Sequence, residues 1–79
     1  MNRVVTVRSP ADLGAAIALA RKQRGLSQEQ LAATAGVERS YLARLESGKS
    51  VLLVERALRL LRRLGAEVTV TLPEPEDPR

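Results

Sequence analysis

The side chains best equipped for specific chemistry lie in the stretch GVERSYLARLESGK, residues 36 to 49. There Arg39 and Arg44 stand five residues apart, with Glu38 and Ser40 beside them. An arginine fork bonds guanine O6 and N7 together, and a carboxylate accepts from cytosine N4. On a helix, this spacing lets two guanidinium groups reach adjacent steps of one groove. The same residues also suit an ordinary solvated surface, with Glu38 paired to a neighbouring arginine. Residue type alone leaves both readings open. Catalysis is far less well provided for. The chain has no histidine and no cysteine, and its carboxylates form no convergent pair, so the usual acid–base and nucleophile groups are missing. A glycine-rich phosphate loop and a metal-spaced cluster are also missing. The sequence reads as a non-enzyme that needs no cofactor, metal or small-molecule ligand.

Side chains in this stretch need a scaffold, and the flanking sequence predicts one made mainly of helices. Ser9 can cap a helix, Pro10 suits its first position and Asp12 favours its positive end, which predicts a helix over about 10–24. Leu13, Ile17 and Ala20 recur on one face of it, and Gly25 ends it. Ser27 followed by Gln30 is a capping box and predicts a helix over 28–35, closed by Gly36, which can turn left-handed. A third helix is expected over 38–46, with Val37, Leu42 and Leu45 packed inward. Two short helices joined through a glycine turn form a helix-turn-helix pattern. A fourth helix, 52–64, carries a broad apolar face of Leu53, Val54, Ala57, Leu58, Leu61 and Leu64, with Arg56, Arg59, Arg62 and Arg63 largely opposite.

Short strands are expected at both ends, RVVTVR at 3–8 and EVTVTL at 67–72, from their alternation. A lone strand is unstable in water. The favoured reading is therefore that two copies pool their strands into an intermolecular sheet, with Val68, Val70 and Leu72 as the dimer strand; an intramolecular pair packed on the fourth helix is the alternative. Residues 1–72 make one domain, and 73–79, with three prolines and no apolar residue, read as a disordered acidic tail. Residues 1–65 carry 12 basic against 5 acidic side chains, a net of +7. Such a body favours polyanions. The absence of cysteines and of any long apolar run fits a cytoplasmic protein without a membrane partner.

Across the 24 residues LSQEQLAATAGVERSYLARLESGK the chain resembles the Xre/Cro family of helix-turn-helix regulators. It matches that pattern at Leu26, Ser27, Gln28, Leu31, Ala32, Gly36, Val37, Leu42, Leu45, Glu46, Gly48 and Lys49. The resemblance implies a four-to-five-helix domain that acts as a transcriptional repressor on a palindromic double-stranded operator, with the third helix in the major groove. It implies base reading by Glu38, Arg39, Ser40 and Arg44, and phosphate contacts from Ser27, Gln28, Tyr41 and Lys49. It also implies a structural ion pair between Arg21 and Glu46. Two of these positions have second readings: Ser27 as a helix cap alone, and Tyr41 as a cover for the turn. Glu38 departs from the pattern, which commonly has Ser or Thr there. The SPADLG opening and the strand just after RRLG are similar to HipB-like antitoxins, which implies a homodimer and a HipA-type kinase toxin as partner.

Overall fold

The computed structural model describes residues 2–49 and 51–74. Its elements run β1 (Arg3–Val7), α1 (Pro10–Gln23), α2 (Gln28–Ala35), α3 (Arg39–Glu46), α4 (Leu52–Arg63) and β2 (Val68–Leu72). The architecture is mainly helical with two short terminal strands. Of the tail expected at 73–79, residues 75–79 lie outside the described residues.

Local chemistry sets most of the helix ends. The Ser9 hydroxyl accepts from the Asp12 amide at 3.1 Å, and Asp12 accepts in turn from the Arg8 amide at 2.9 Å. The α1 entry is thereby fixed from both sides. At α2 the Ser27 hydroxyl accepts from the Gln30 amide at 3.0 Å, while the Gln30 side chain accepts from the Ser27 amide at 2.8 Å. This reciprocal pair satisfies two of the donors a helix start leaves free. Gly36 adopts φ 73° at the α2 exit, a conformation that costs a side-chain-bearing residue, and the Val37 amide bonds back to the Ala32 carbonyl at 3.0 Å. The chain turns there and α3 begins two residues later.

Helices α1 and α3 approach closely. Gly14 is buried, and a Cβ at its position would stand 1.8 Å from the Leu45 carbonyl oxygen. The two backbones therefore touch where no side chain fits. The buried apolar residues are Val7, Ala16, Ala32, Leu42, Leu58 and Leu72, a small core that draws from every element.

Of the two strand readings the intramolecular pair is the one seen within the chain, and one expectation about helix packing needs correction. The terminal strands pair with each other inside one chain, antiparallel, with Val5 opposite Val70 and Val7 opposite Val68. The fold brings the two ends of the helical body together, so each strand meets a partner without the translational entropy lost in association. Leu72 is buried and Val68 and Val70 half-buried, facing their own molecule. Helix packing also differs from the pattern reading. Of the expected apolar face on α4, only Leu58 is buried and Val54 half-buried, while Val37, expected inward, lies exposed at the turn. Its amide closes that turn, which holds the backbone but leaves the side chain at the rim. On α4 the arc of leucines is wider than the surface one small body offers it.

Candidate nucleic-acid interface

Helix α3 presents one side to the core and one to solvent. Leu42 is buried and Leu45 half-buried, whereas Arg39, Ser40, Tyr41 and Arg44 are exposed. Glu38, Arg39, Ser40, Tyr41, Ala43, Arg44, Ser47 and Lys49 line one shallow concavity of about 770 Å³. The structure thus gathers all four residues expected to read bases, together with Tyr41 and Lys49. Ala43 and Ser47 share that surface and were missed, although Ser40, Ala43 and Ser47 recur at helical spacing. Ser47 donates to the Arg44 carbonyl at 2.8 Å and so helps close the helix. At about 1.5 Å per residue, the eight residues of α3 span about 12 Å, comparable with the width of a major groove.

Glu38 stands at the N-cap in extended conformation, but its side chain makes no capping hydrogen bond. The first amides of α3 therefore lack the side-chain acceptor that Ser27 gives α2. Replacing Glu38 with serine is expected to raise stability by about 1 kcal/mol, or about 4–8 °C in Tm for a domain of this size. A thermal melt followed by circular dichroism checks it, and an unchanged or lowered Tm would show that the cap is supplied some other way.

The other expected contacts lie apart from this concavity. Ser27 is occupied as a cap by its bond from the Gln30 amide. Gln28 is half-buried and its Nε2 donates to Glu46 Oε1 at 3.1 Å. The amide nitrogen, rather than the carbonyl, holds the neighbouring side chain, which leaves the second N–H of that amide for another acceptor.

Behind α3 lies a nearly buried charge cluster. Arg21 Nε donates to Glu46 Oε2 and Arg21 Nη2 to Glu46 Oε1, both at 2.8 Å, a bidentate pair that joins α1 to the end of α3. The side chains are 11% and 6% exposed. Arg21 Nη1 also reaches the Leu26 carbonyl at 2.8 Å, tying in the loop before α2. The guanidinium hydrogen bonds hold the Glu46 carboxyl below its ordinary value of 4.5, outweighing the partial burial that pushes it up, and Gln28 adds to the lowering. Arg21 is held more firmly in its charged form by the same bonds. A depressed carboxyl contributes stability that is complete above its unfolded value and lost as pH falls through its folded one. Urea midpoints should therefore drop on acidification below about pH 4.5. In Glu46→Gln the midpoint should be lower at neutral pH and its acid limb flatter. An equally steep acid limb in the variant would show that other carboxylates carry it.

Residues 17–70 match the Helix-turn-helix family, HTH_3, a span that runs from within α1 into β2. The chain belongs to the helix-turn-helix family. As a helix-turn-helix protein it is also similar to the uncharacterized HTH-type transcriptional regulator y4mF of Sinorhizobium fredii. The two are 34% identical over 67 residues, which cover 85% of this chain and 88% of that relative. No solved structure matches it significantly. In this family frame α2 and α3 are the paired helices and α3 the one that presents its polar side outward. No helix among the described residues is long and apolar enough to cross a membrane.

Proposed function

We propose that this helix-turn-helix protein is a sequence-specific DNA-binding transcriptional repressor that occupies a palindromic operator as a homodimer. The observation that carries the reading is the exposed concavity on α3. It holds Arg39, Arg44 and Lys49 against the single acid Glu38, with the helix braced from behind by Arg21, Glu46 and Gln28. In this reading Arg39 and Arg44 take guanine edges, Ser40 contacts a neighbouring base, and Glu38 accepts from a cytosine amine. Lys49, Tyr41, Ser27 and the free N–H of Gln28 hold phosphates, and so fix position without reading sequence.

Binding of the chain to its own upstream DNA, followed by fluorescence anisotropy across a salt series, tests this. The affinity should fall linearly with the logarithm of salt concentration, and Lys49→Ala should weaken all sequences alike while reducing the slope by about 1. A response flat in salt would rule out phosphate-anchored binding.

The finer reading is that the repressor is the antitoxin of a HipA-type kinase toxin. It rests on the similarity of SPADLG and the strand after RRLG to HipB-like antitoxins, with the arginines of α4 and the acidic C-terminal stretch as candidate toxin surfaces. A kinase-type reading frame beside this gene, whose product co-purifies with the chain, would support it. Its absence would favour a free-standing regulator with the same DNA site.

A further inference from the structure

The concavity on α3 is lined by charged and hydroxyl-bearing side chains with one exception, Ala43. Leu42 and Leu45 supply the inward side of α3, and Ala43 is left half-buried among its polar neighbours on the outer surface. Arg39 and Ser40 lie four and three residues before it and Ser47 four after, all on one side of the helix. At about 100° per residue, Arg39 and Arg44 diverge by roughly 140° around the axis, and Ala43 falls between them. The middle of this surface is therefore built of short side chains, one of them apolar, and its two flanks are long and cationic.

An alanine side chain neither donates nor accepts a hydrogen bond, which restricts what it can recognise. Among the groups that base pairs display in the major groove, the apolar one is the C5 methyl of thymine. We propose that Ala43 is a specificity-determining residue whose methyl group rests on a thymine methyl, at the base step beside the one Arg39 takes. This rests on the operator reading and adds to it a base that the polar side chains of α3 do not specify. The place of that step follows from helix geometry. Cα–Cβ bonds tilt towards the helix N-terminus, so the Ala43 methyl leans over the turn that carries Arg39 and Ser40.

Discrimination comes from what the contact excludes as well as from what it gains. Cytosine lacks the methyl and brings an N4 amine from which Ala43 cannot accept, so a cytosine there leaves a donor unpaired once water is expelled. The contact also needs no side-chain ordering, because alanine has no rotamers to lose, whereas each arginine gives up considerable freedom when it grips a base. Shortness matters in addition. A longer side chain at this position would hold α3 away from the base edges and cut the reach of both flanking arginines.

Duplexes selected by the full chain from a random-sequence pool, then measured singly by fluorescence anisotropy, test this. Each selected half-site should hold a thymine next to a guanine. Uracil in place of that thymine removes the methyl and leaves every hydrogen-bonding group where it was. The replacement should weaken wild-type binding about fourfold, the worth of one buried methyl group. In Ala43→Gly the same replacement should have no effect. Each protein serves as its own reference, so the cycle isolates the methyl–methyl pair from any loss of helix stability that glycine brings. Wild-type binding that tolerates uracil at every thymine, or an equal loss in wild type and Ala43→Gly, would overturn the contact and leave the operator reading standing. A pool from which no sequence is enriched would overturn the operator reading and the contact with it.

Discussion

Alanine in place of Gly14 is expected to destabilise the domain by about 3 kcal/mol, the upper end of the range for overpacked sites. The sign is the informative part. Gly14 lies within α1, and a helix-interior glycine replaced by alanine ordinarily gains up to about 1 kcal/mol from propensity alone. Here the added Cβ would stand 1.8 Å from the Leu45 carbonyl oxygen and 2.9 Å from its carbon. Both are backbone atoms, so no rotamer change can make room, and α1 and α3 must separate. That movement would also stretch the bidentate Arg21–Glu46 bonds, which span the same pair of helices at 2.8 Å. Urea unfolding of Gly14→Ala should show a much lower midpoint, and DNA affinity should fall with it because α3 is displaced. A variant as stable as wild type would mean that α1 and α3 are not in the close contact described.

The largest expected effect on function belongs to Arg39. Arg39→Ala should cost about 1–3 kcal/mol of specific operator affinity, from roughly fivefold to more than a hundredfold, while non-specific binding falls much less. Arg39 sits in the first turn of α3, exposed, on the concavity it shares with Arg44. The first turn of a recognition helix is the part that reaches base edges. Arg39→Lys separates the two possible roles, since lysine keeps the charge but loses the planar fork that grips O6 and N7 together. Base reading predicts that the lysine variant loses discrimination at one base pair while its salt slope stays unchanged. If Arg39→Lys binds its operator like wild type, Arg39 contributes charge alone and the base-reading assignment moves to Arg44.

Much of the scaffold is legible in single residues because local chemistry decides it. Ser27 and Gln30 mark the start of α2 by a pair of bonds that involves only four consecutive residues, and Gly36 marks the turn by the one conformation that glycine adopts freely. Which side of α3 faces out also follows from period, since Leu42 and Leu45 leave Arg39, Ser40 and Arg44 on the opposite arc. Glu38 is legible in a different sense. Its departure from Ser or Thr predicts a missing cap, and α3 starts without a side-chain cap bond.

Other features depend on which distant surfaces meet. Alternation identifies two strands but carries no information about their partner, and it was the meeting of the two chain ends that paired Arg3–Val7 with Val68–Leu72 in one molecule. The apolar arc of α4 likewise reads as core by pattern. Pattern measures hydrophobicity around a helix, whereas burial depends on how much neighbouring surface exists to cover it, and here that surface reaches only Val54 and Leu58. The role of Gly14 is equally invisible along the chain, since Leu45 lies 31 residues away. The sequence by itself determined the starts of α1 and α2, the glycine turn and the polar side of α3, because capping bonds and helical period act within a few residues. Tertiary structure decided the strand pairing, the α1–α3 contact at Gly14 and the uncovered leucines of α4, because each is settled by which surfaces the folded chain brings together.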